Sequence, residues 1–175
     1  MMDIDIRKLH PNESHSYREL RLECLKNFPQ NFTSNYEDEK AKDVLFFQPY
    51  IEHSNPNNFV VGAFHNNHLI GISGFKRYEA DRINHIGIII QVYVNPEYQA
   101  KSVGLNIVKS TLNEAFKLDG LEQVEIEVIT TNKNAVKIYE KIGFVTYGIQ
   151  KNFLKIDNTY FDHQMMMIFK NQYII

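Results

Sequence analysis

Six consecutive residues, Gln99-Ala100-Lys101-Ser102-Val103-Gly104, have types and spacing suited to holding a phosphate or a pyrophosphate. They follow a β-branched run that exits at Val94-Asn95-Pro96, and they precede a run with apolar residues at Val103, Ile107, Val108, Leu112, Ala115 and Phe116. A chain so arranged leaves a strand, crosses a short polar loop and enters a helix. The first turn of a helix carries backbone N–H groups without intrahelical partners and the positive end of the macrodipole. Small residues let an anion approach that backbone, and Lys101 adds a positive charge. The same six residues also read as an ordinary strand-to-helix connection, and alone they leave both readings open.

The elements that position this loop follow from periodicity. Asp3–Leu9 alternates and predicts a first strand. Residues 13–28 predict a helix ended by Pro29, and Tyr36–Tyr50 a second helix. Phe59–His65 and His68–Lys76 are β-rich runs joined at Asn66-Asn67, a hairpin turn signal. Ile86–Val94 is the most β-prone stretch, and Ser102–Leu118 an amphipathic helix stopped at Asp119-Gly120. Gln123–Thr130 alternates again, with Val124, Ile126 and Val128 on one face and Glu125 and Glu127 on the other. A short helix, Asn134–Ile142, stops at Gly143; Phe144–Gly148, Leu154–Ile156 and Phe161–Phe169 close the chain as strands. A helix between two strands implies a parallel pair, while the hairpins imply antiparallel neighbours. The expected architecture is α/β (α+β), a mixed sheet covered by helices, with residues 1–175 as one domain.

Bulk composition bounds the function. Nineteen Lys and Arg nearly balance 21 Asp and Glu, so no basic surface calls for nucleic acid or anionic lipid. The longest apolar run, Ile86–Ile90, is far short of the roughly 20 residues of a membrane span. Cys24 is the single cysteine, so the fold needs no disulfide. The opening residues MMDIDIRKL carry acids where a signal peptide has basic and apolar regions. A cytoplasmic protein is the expectation. There is neither a G-x-G-x-x-G nor a P-loop signature.

Two elements together resemble the GNAT superfamily of acetyl-CoA-dependent N-acyltransferases. The first is Val94-Asn95-Pro96 followed by Gln99, Ser102 and Gly104, similar to a loop that reads Arg or Gln, x, x, Gly, x, Gly or Ala. The second is Asn132-x-x-Ala135-x-x-x-Tyr139-x-x-x-Gly143-Phe144. The likeness extends to Leu20-Arg21-Leu22-Glu23 with Pro29, Phe32, Ser34 and Tyr36, to His85-Ile86-Gly87, and to Lys155–Tyr160 with Asp162 and Met165. The departure is Ser102, which stands where the loop's first glycine is usual and adds a Cβ there.

The resemblance implies a largely antiparallel sheet of about seven strands flanked by helices. It implies acetyl-CoA as co-substrate, an amine of a small molecule or peptide as acceptor, and direct transfer without a metal. Cofactor contacts would come from Val92, Tyr93, Val94, Gln99, Ala100, Lys101, Ser102, Val103, Gly104, Asn132 and Tyr139. Val92 and Val94 would act through backbone groups, on a strand that splays from its neighbour in relatives. Asn132 also reads as a helix N-cap. Tyr139 would protonate the leaving thiolate, though its place between Ile138 and Ile142 also suits a core aromatic.

Acyl transfer needs the amine deprotonated. Ile86–Val94 carries no Asp or Glu, so His85 is the expected base, with Gln91, Glu79 and Asp81 as other polar candidates. Tyr160 and Asp162 are candidates to line an acceptor pocket. A non-catalytic acyl-CoA-binding protein on the same fold is the alternative. No nucleic-acid or membrane partner is expected; the oligomeric state is open, a homodimer being one option.

Overall fold

A computed structural model describes residues 3–99 and 102–173 of the chain. Its elements in order are β1 (Asp5–Lys8), α1 (Ser14–Asn27), α2 (Tyr36–Ala41), α3 (Gln48–Glu52), β2 (Asn58–His65), β3 (His68–Arg77), β4 (Ile86–Val94), α4 (Val103–Ala115), β5 (Gln123–Ile129), α5 (Lys133–Ile142), β6 (Val145–Ile156) and β7 (Thr159–Phe169). The seven strands form one sheet in the order β1-β2-β3-β4-β5-β7-β6. Every neighbouring pair is antiparallel except β4–β5, which the α4 crossover makes parallel. The mixed, largely antiparallel architecture expected from the sequence is the one observed. Among the described residues no helix is long and apolar enough to cross a membrane.

Each face of the sheet has its own core. On one face α4 lays Val103, Ile107, Val108 and Leu112 against Val124, Ile126 and Met166, with Val136, Tyr139 and Ile142 of α5 beside them. On the other, α1 and α3 pack Tyr17, Leu20, Leu25, Phe47 and Ile51 against Val60, Ile72 and Tyr93. The β2–β3 turn falls at Asn66 and Asn67, with φ of 50° and 64°, the pair of left-handed residues that a tight hairpin requires.

Two expectations change. The helix expected over Tyr36–Tyr50 is two helices, α2 and α3, separated by residues 42–47. A continuous helix would place Pro49 where its ring clashes with the carbonyl four residues back. The chain instead starts anew with Pro49 in the first turn of α3, and the Gln48 side chain accepts the Leu45 N–H at 2.8 Å. The runs Phe144–Gly148 and Leu154–Ile156 are parts of one strand, β6, whose pairing with β7 shifts between Gln150 and Leu154. Asn152, at φ 52°, absorbs the extra residues there, and its N–H donates to Asp162 at 3.0 Å.

Candidate active site

The β4–β5 ladder pairs Ile86 with Gln123 through Ile89 with Ile126, and among the described residues it ends there, although β4 runs on to Val94 and β5 to Ile129. Two parallel strands therefore diverge from a fork at Ile89 and Ile126. A bulge sets the divergence. Between the pairs Gly74–Ile90 and Ile72–Tyr93, β4 has one residue more than β3, and Gln91 takes φ 59°. The Tyr17 hydroxyl, on buried α1, donates to Gln91 Oε1 at 2.7 Å.

Beyond the bulge the direction of the backbone groups follows from alternation. The Asn95 N–H bonds back to Ile70 O of β3 at 2.8 Å. Val94 and Val92 therefore turn their N–H and C=O groups the other way, toward the diverging β5. Tyr93 lies between them, with its backbone facing β3 and its hydroxyl donating to Glu23 of α1 at 2.9 Å. Asn95 donates to the same carboxylate at 3.0 Å, which ties the β4 exit to α1.

The start of α4 lies beside Val94 at the end of β4 and Ile138 of α5. Gln99 Nε2 donates to Val94 O at 2.9 Å, fixing the loop to the strand it leaves. Ala100 and Lys101 lie outside the described residues. Ser102 is the N-cap of α4 at φ 60°, a left-handed conformation that suits the glycine usual there, and its side chain makes no capping bond. Gly104 lies in the first turn; a Cβ built there would meet Ile138 Cδ1 at 3.5 Å and Val94 Cγ2 at 3.9 Å, ordinary contacts. Packing does not demand a glycine at this position. The fork, the backbone groups of Val92 and Val94 and this helix start fit the diphosphate and amide arm of an acyl-CoA.

Across the fork, Asn132 caps α5 by accepting the Ala135 N–H at 3.2 Å. Tyr139 is buried in the α4–α5 core, and no described residue bonds to its hydroxyl. Burial alone pushes that hydroxyl well above the usual phenol range.

His85 is not brought to this group. It sits in the turn before β4, where its carbonyl accepts the N–H groups of Glu122 and Gln123. Six residues separate it from Gln91, roughly 20 Å along a strand. Exposed Glu79 and Asp81 precede it at the same end. The Asp162 carboxylate is engaged by Lys151 at 2.7 Å while its carbonyl accepts the Thr130 N–H just past β5, and Tyr160 is half exposed near the β6–β7 turn. Cys24 is buried, and desolvation pushes its thiol up to about 11, so it remains a core thiol. A depression of about 380 Å³ lined by Asp5, Arg7, Glu13 and Phe64 lies at the β1 edge, away from the fork, with Arg7 already paired to Glu13.

The carboxylate nearest the fork lies instead on β5. Glu127 is the first β5 residue past the last β4–β5 pair. It alternates with Ile126 and Val128, which face α4, so it stands on the opposite face. His163 of β7 places Nδ1 3.4 Å from its carboxylate, and the imidazole stacks flat on Phe153 at 4.3 Å. Desolvation outweighs the carboxylate and lowers the imidazole below its ordinary value. In the sequence Glu127 was legible only as the polar half of an alternating strand; the partial β4–β5 pairing gives it its place.

The fold and the fork define the class of acetyl-CoA-dependent acyltransferases. A family model, the acetyltransferase (GNAT) domain, matches residues 6–165, and the chain belongs to that family. The spermidine N(1)-acetyltransferase of Vibrio cholerae is 28% identical over 145 residues, 82% of this chain and 80% of that protein. A GNAT-family acetyltransferase from Streptococcus pneumoniae superposes with a TM-score of 0.84 at 20% identity, covering 95% of this chain and 99% of the other. YncA of Salmonella typhimurium, solved with its cofactor acetyl-CoA, superposes with a TM-score of 0.77 at 15% identity, covering 98% and 96% of the two chains.

Proposed function

We propose that this chain, as one domain, transfers the acetyl group of acetyl-CoA to a primary amine of a small molecule or peptide by direct attack. The observation that carries the reading is the fork: β4 and β5 diverge past Ile89 and Ile126, with the backbone of Val92 and Val94 turned into the gap. An extended amide arm adds to such a strand as another strand would. The main chain of Gln99–Gly104, with Lys101 and the positive end of α4, holds the diphosphate. Asn132 and Tyr139 flank the arm from α5. The thioester then lies at the fork, between Tyr139 on one face and Glu127 on the other.

The reaction needs little beyond placement and proton handling. An alkylammonium with a pKa near 10 must lose a proton before it attacks. Glu127, with the neutral imidazole of His163 beside it, accepts that proton directly or through water. The C–N bond forms as the C–S bond breaks; the Tyr139 hydroxyl hands its proton to the thiolate as the amide nitrogen gives up its second proton, so one proton ends on sulfur and one on Glu127. A phenol held neutral by burial keeps its O–H hydrogen available to the departing sulfur, and the proton shed by the new amide nitrogen restores it. The one cysteine is buried and protonated, so the acyl group passes without a protein intermediate. A single reduced thiol and an acyl-CoA substrate suit the cytoplasm.

The test is calorimetry with acetyl-CoA on the folded chain, followed by thiol release with an amine panel. Polyamines belong in the panel because the Vibrio relative's name specifies spermidine. Saturable binding and turnover on at least one amine are expected. No heat with millimolar coenzyme A or acetyl-CoA would sink the reading.

A further inference from the structure

Arg21 is 3% exposed, in α1. Its Nε is sealed from solvent without a hydrogen-bond partner, and among the described residues the guanidinium donates only to the Cys24 sulfur, from Nη1 at 3.5 Å. The nearby carboxylates are committed elsewhere: Glu23 to Tyr93 and Asn95, Glu39 to Lys42 at 2.6 Å. Among the described residues no carboxylate pairs with Arg21. A guanidinium cannot relieve burial by losing its proton, and buried charges are ordinarily paired. Phe32 lies against its flat face, 4.7 Å from Cζ, and so holds the plane while leaving Nε without a partner.

The location gives the unpaired charge a use. Arg21 is four residues from Tyr17 and shares its face of α1. Tyr17 grips Gln91 in the bulge that opens the fork. The Arg21 charge acts on the Tyr17 hydroxyl, and the 29–31 turn beside Phe32 touches β5, which puts the cation on the α1 side of the fork, the face to which Glu127 belongs. An acceptor entering there meets a carboxylate on β5 and a guanidinium on α1.

Building on the transferase reading, we infer that Arg21 binds a carboxylate of the acceptor. The acceptor class is an amine that also carries a carboxylate, such as an amino acid or a short peptide bearing an acidic group. Its ammonium end is drawn to Glu127 and the thioester. Its two carboxylate oxygens match the planar guanidinium edge.

The experiment compares acceptors in pairs on the full chain: an amino acid against the amine lacking its carboxylate, with spermidine as a second acceptor without one. The expected kcat/KM favours the carboxylate-bearing member by roughly 30-fold or more, the loss usual when a buried charge is left unpaired. In Arg21→Met that ratio falls toward unity while turnover of the carboxylate-free amine stays within about threefold, a buried-pair truncation acting on one acceptor only. A structural role alone would lower both acceptors together and leave the ratio unchanged, which would overturn the assignment. Arg21→Lys keeps the charge but not the fork of donors; it is expected to retain a reduced preference, and an unaltered one would count against Arg21. A thermal-shift series provides a readout independent of turnover: the amino acid raises the Tm of the wild type and not of Arg21→Met. If the wild type acetylates both members of each pair equally, Arg21 loses its role and the transferase stands. If no amine is acetylated, the transferase reading fails, and the thermal shift alone then decides whether Arg21 holds a carboxylate.

Discussion

The Tyr17 hydroxyl donates a 2.7 Å hydrogen bond to the side-chain oxygen of Gln91, the residue at φ 59° in the β4 bulge. One bond thus ties the first helix to the point where β4 leaves its neighbour. Tyr17 is fully buried against Phe47 and held edge-on to it at 6.1 Å, so its hydroxyl has a fixed position. Tyr17→Phe keeps the ring and removes the bond. We expect a stability loss of about 1 kcal/mol, together with a several-fold rise in the KM for acetyl-CoA. Urea melts and steady-state kinetics check this; an unchanged KM would mean that the bulge holds its shape without Tyr17.

Ser102 occupies a left-handed conformation at φ 60° and gains no capping bond from its side chain. A non-glycine residue there costs on the order of 1 kcal/mol, offset in part by glycine's greater freedom in the unfolded chain. Ser102→Gly is expected to leave stability equal or raise it by up to ~1 kcal/mol and to tighten coenzyme A binding. Weaker binding in calorimetry would show instead that the serine hydroxyl contacts the phosphate.

Gly104 distinguishes packing from ligand access. Because a Cβ there would make only ordinary contacts, Gly104→Ala should fold well and stabilise α4 by up to about 1 kcal/mol. Gly104→Trp should fill the space over the helix start and abolish measurable acetyl-CoA binding. Equal affinity for wild type and a well-folded Gly104→Trp would place the diphosphate elsewhere.

Tyr139 makes no hydrogen bond with the described residues, so Tyr139→Phe keeps the ring's packing and breaks no bond to them. Its thermal midpoint should match the wild type, and coenzyme A should bind equally well. Turnover should fall by roughly 10²-fold, the scale of one positioned proton donor. Full turnover under conditions where chemistry limits the rate would remove Tyr139 from the reaction.

Several elements were legible because their signals are local. The Asn66-Asn67 turn, the Asn132 cap and the apolar stripe of α4 each depend on residues within a few positions of one another. The split of Tyr36–Tyr50 into α2 and α3 was also written locally, in Pro49, but hydrophobic spacing hid it. The β6 run looked like two strands because Asn152 and its neighbours break the alternation, and only pairing with β7 shows that they belong to one.

The base proposed above is not legible by the same means. His85 suited by type and by its place next to the β-prone run, yet strand length puts it at the far end of β4. Glu127 looked like an exposed strand residue, and His163, 36 positions later, offered no link to it until β5 and β7 paired.

By itself the sequence determined the family, the strand–loop–helix around Gln99–Gly104, and the helix that carries Tyr139. These depend on backbone conformation, which neighbouring residues set. Only the tertiary structure decided where β4 and β5 part, which carboxylate stands at the fork and that Arg21 is buried with its Nε unpartnered. Strand register and burial are properties of segments far apart in the chain, and no local pattern encodes the distance between them.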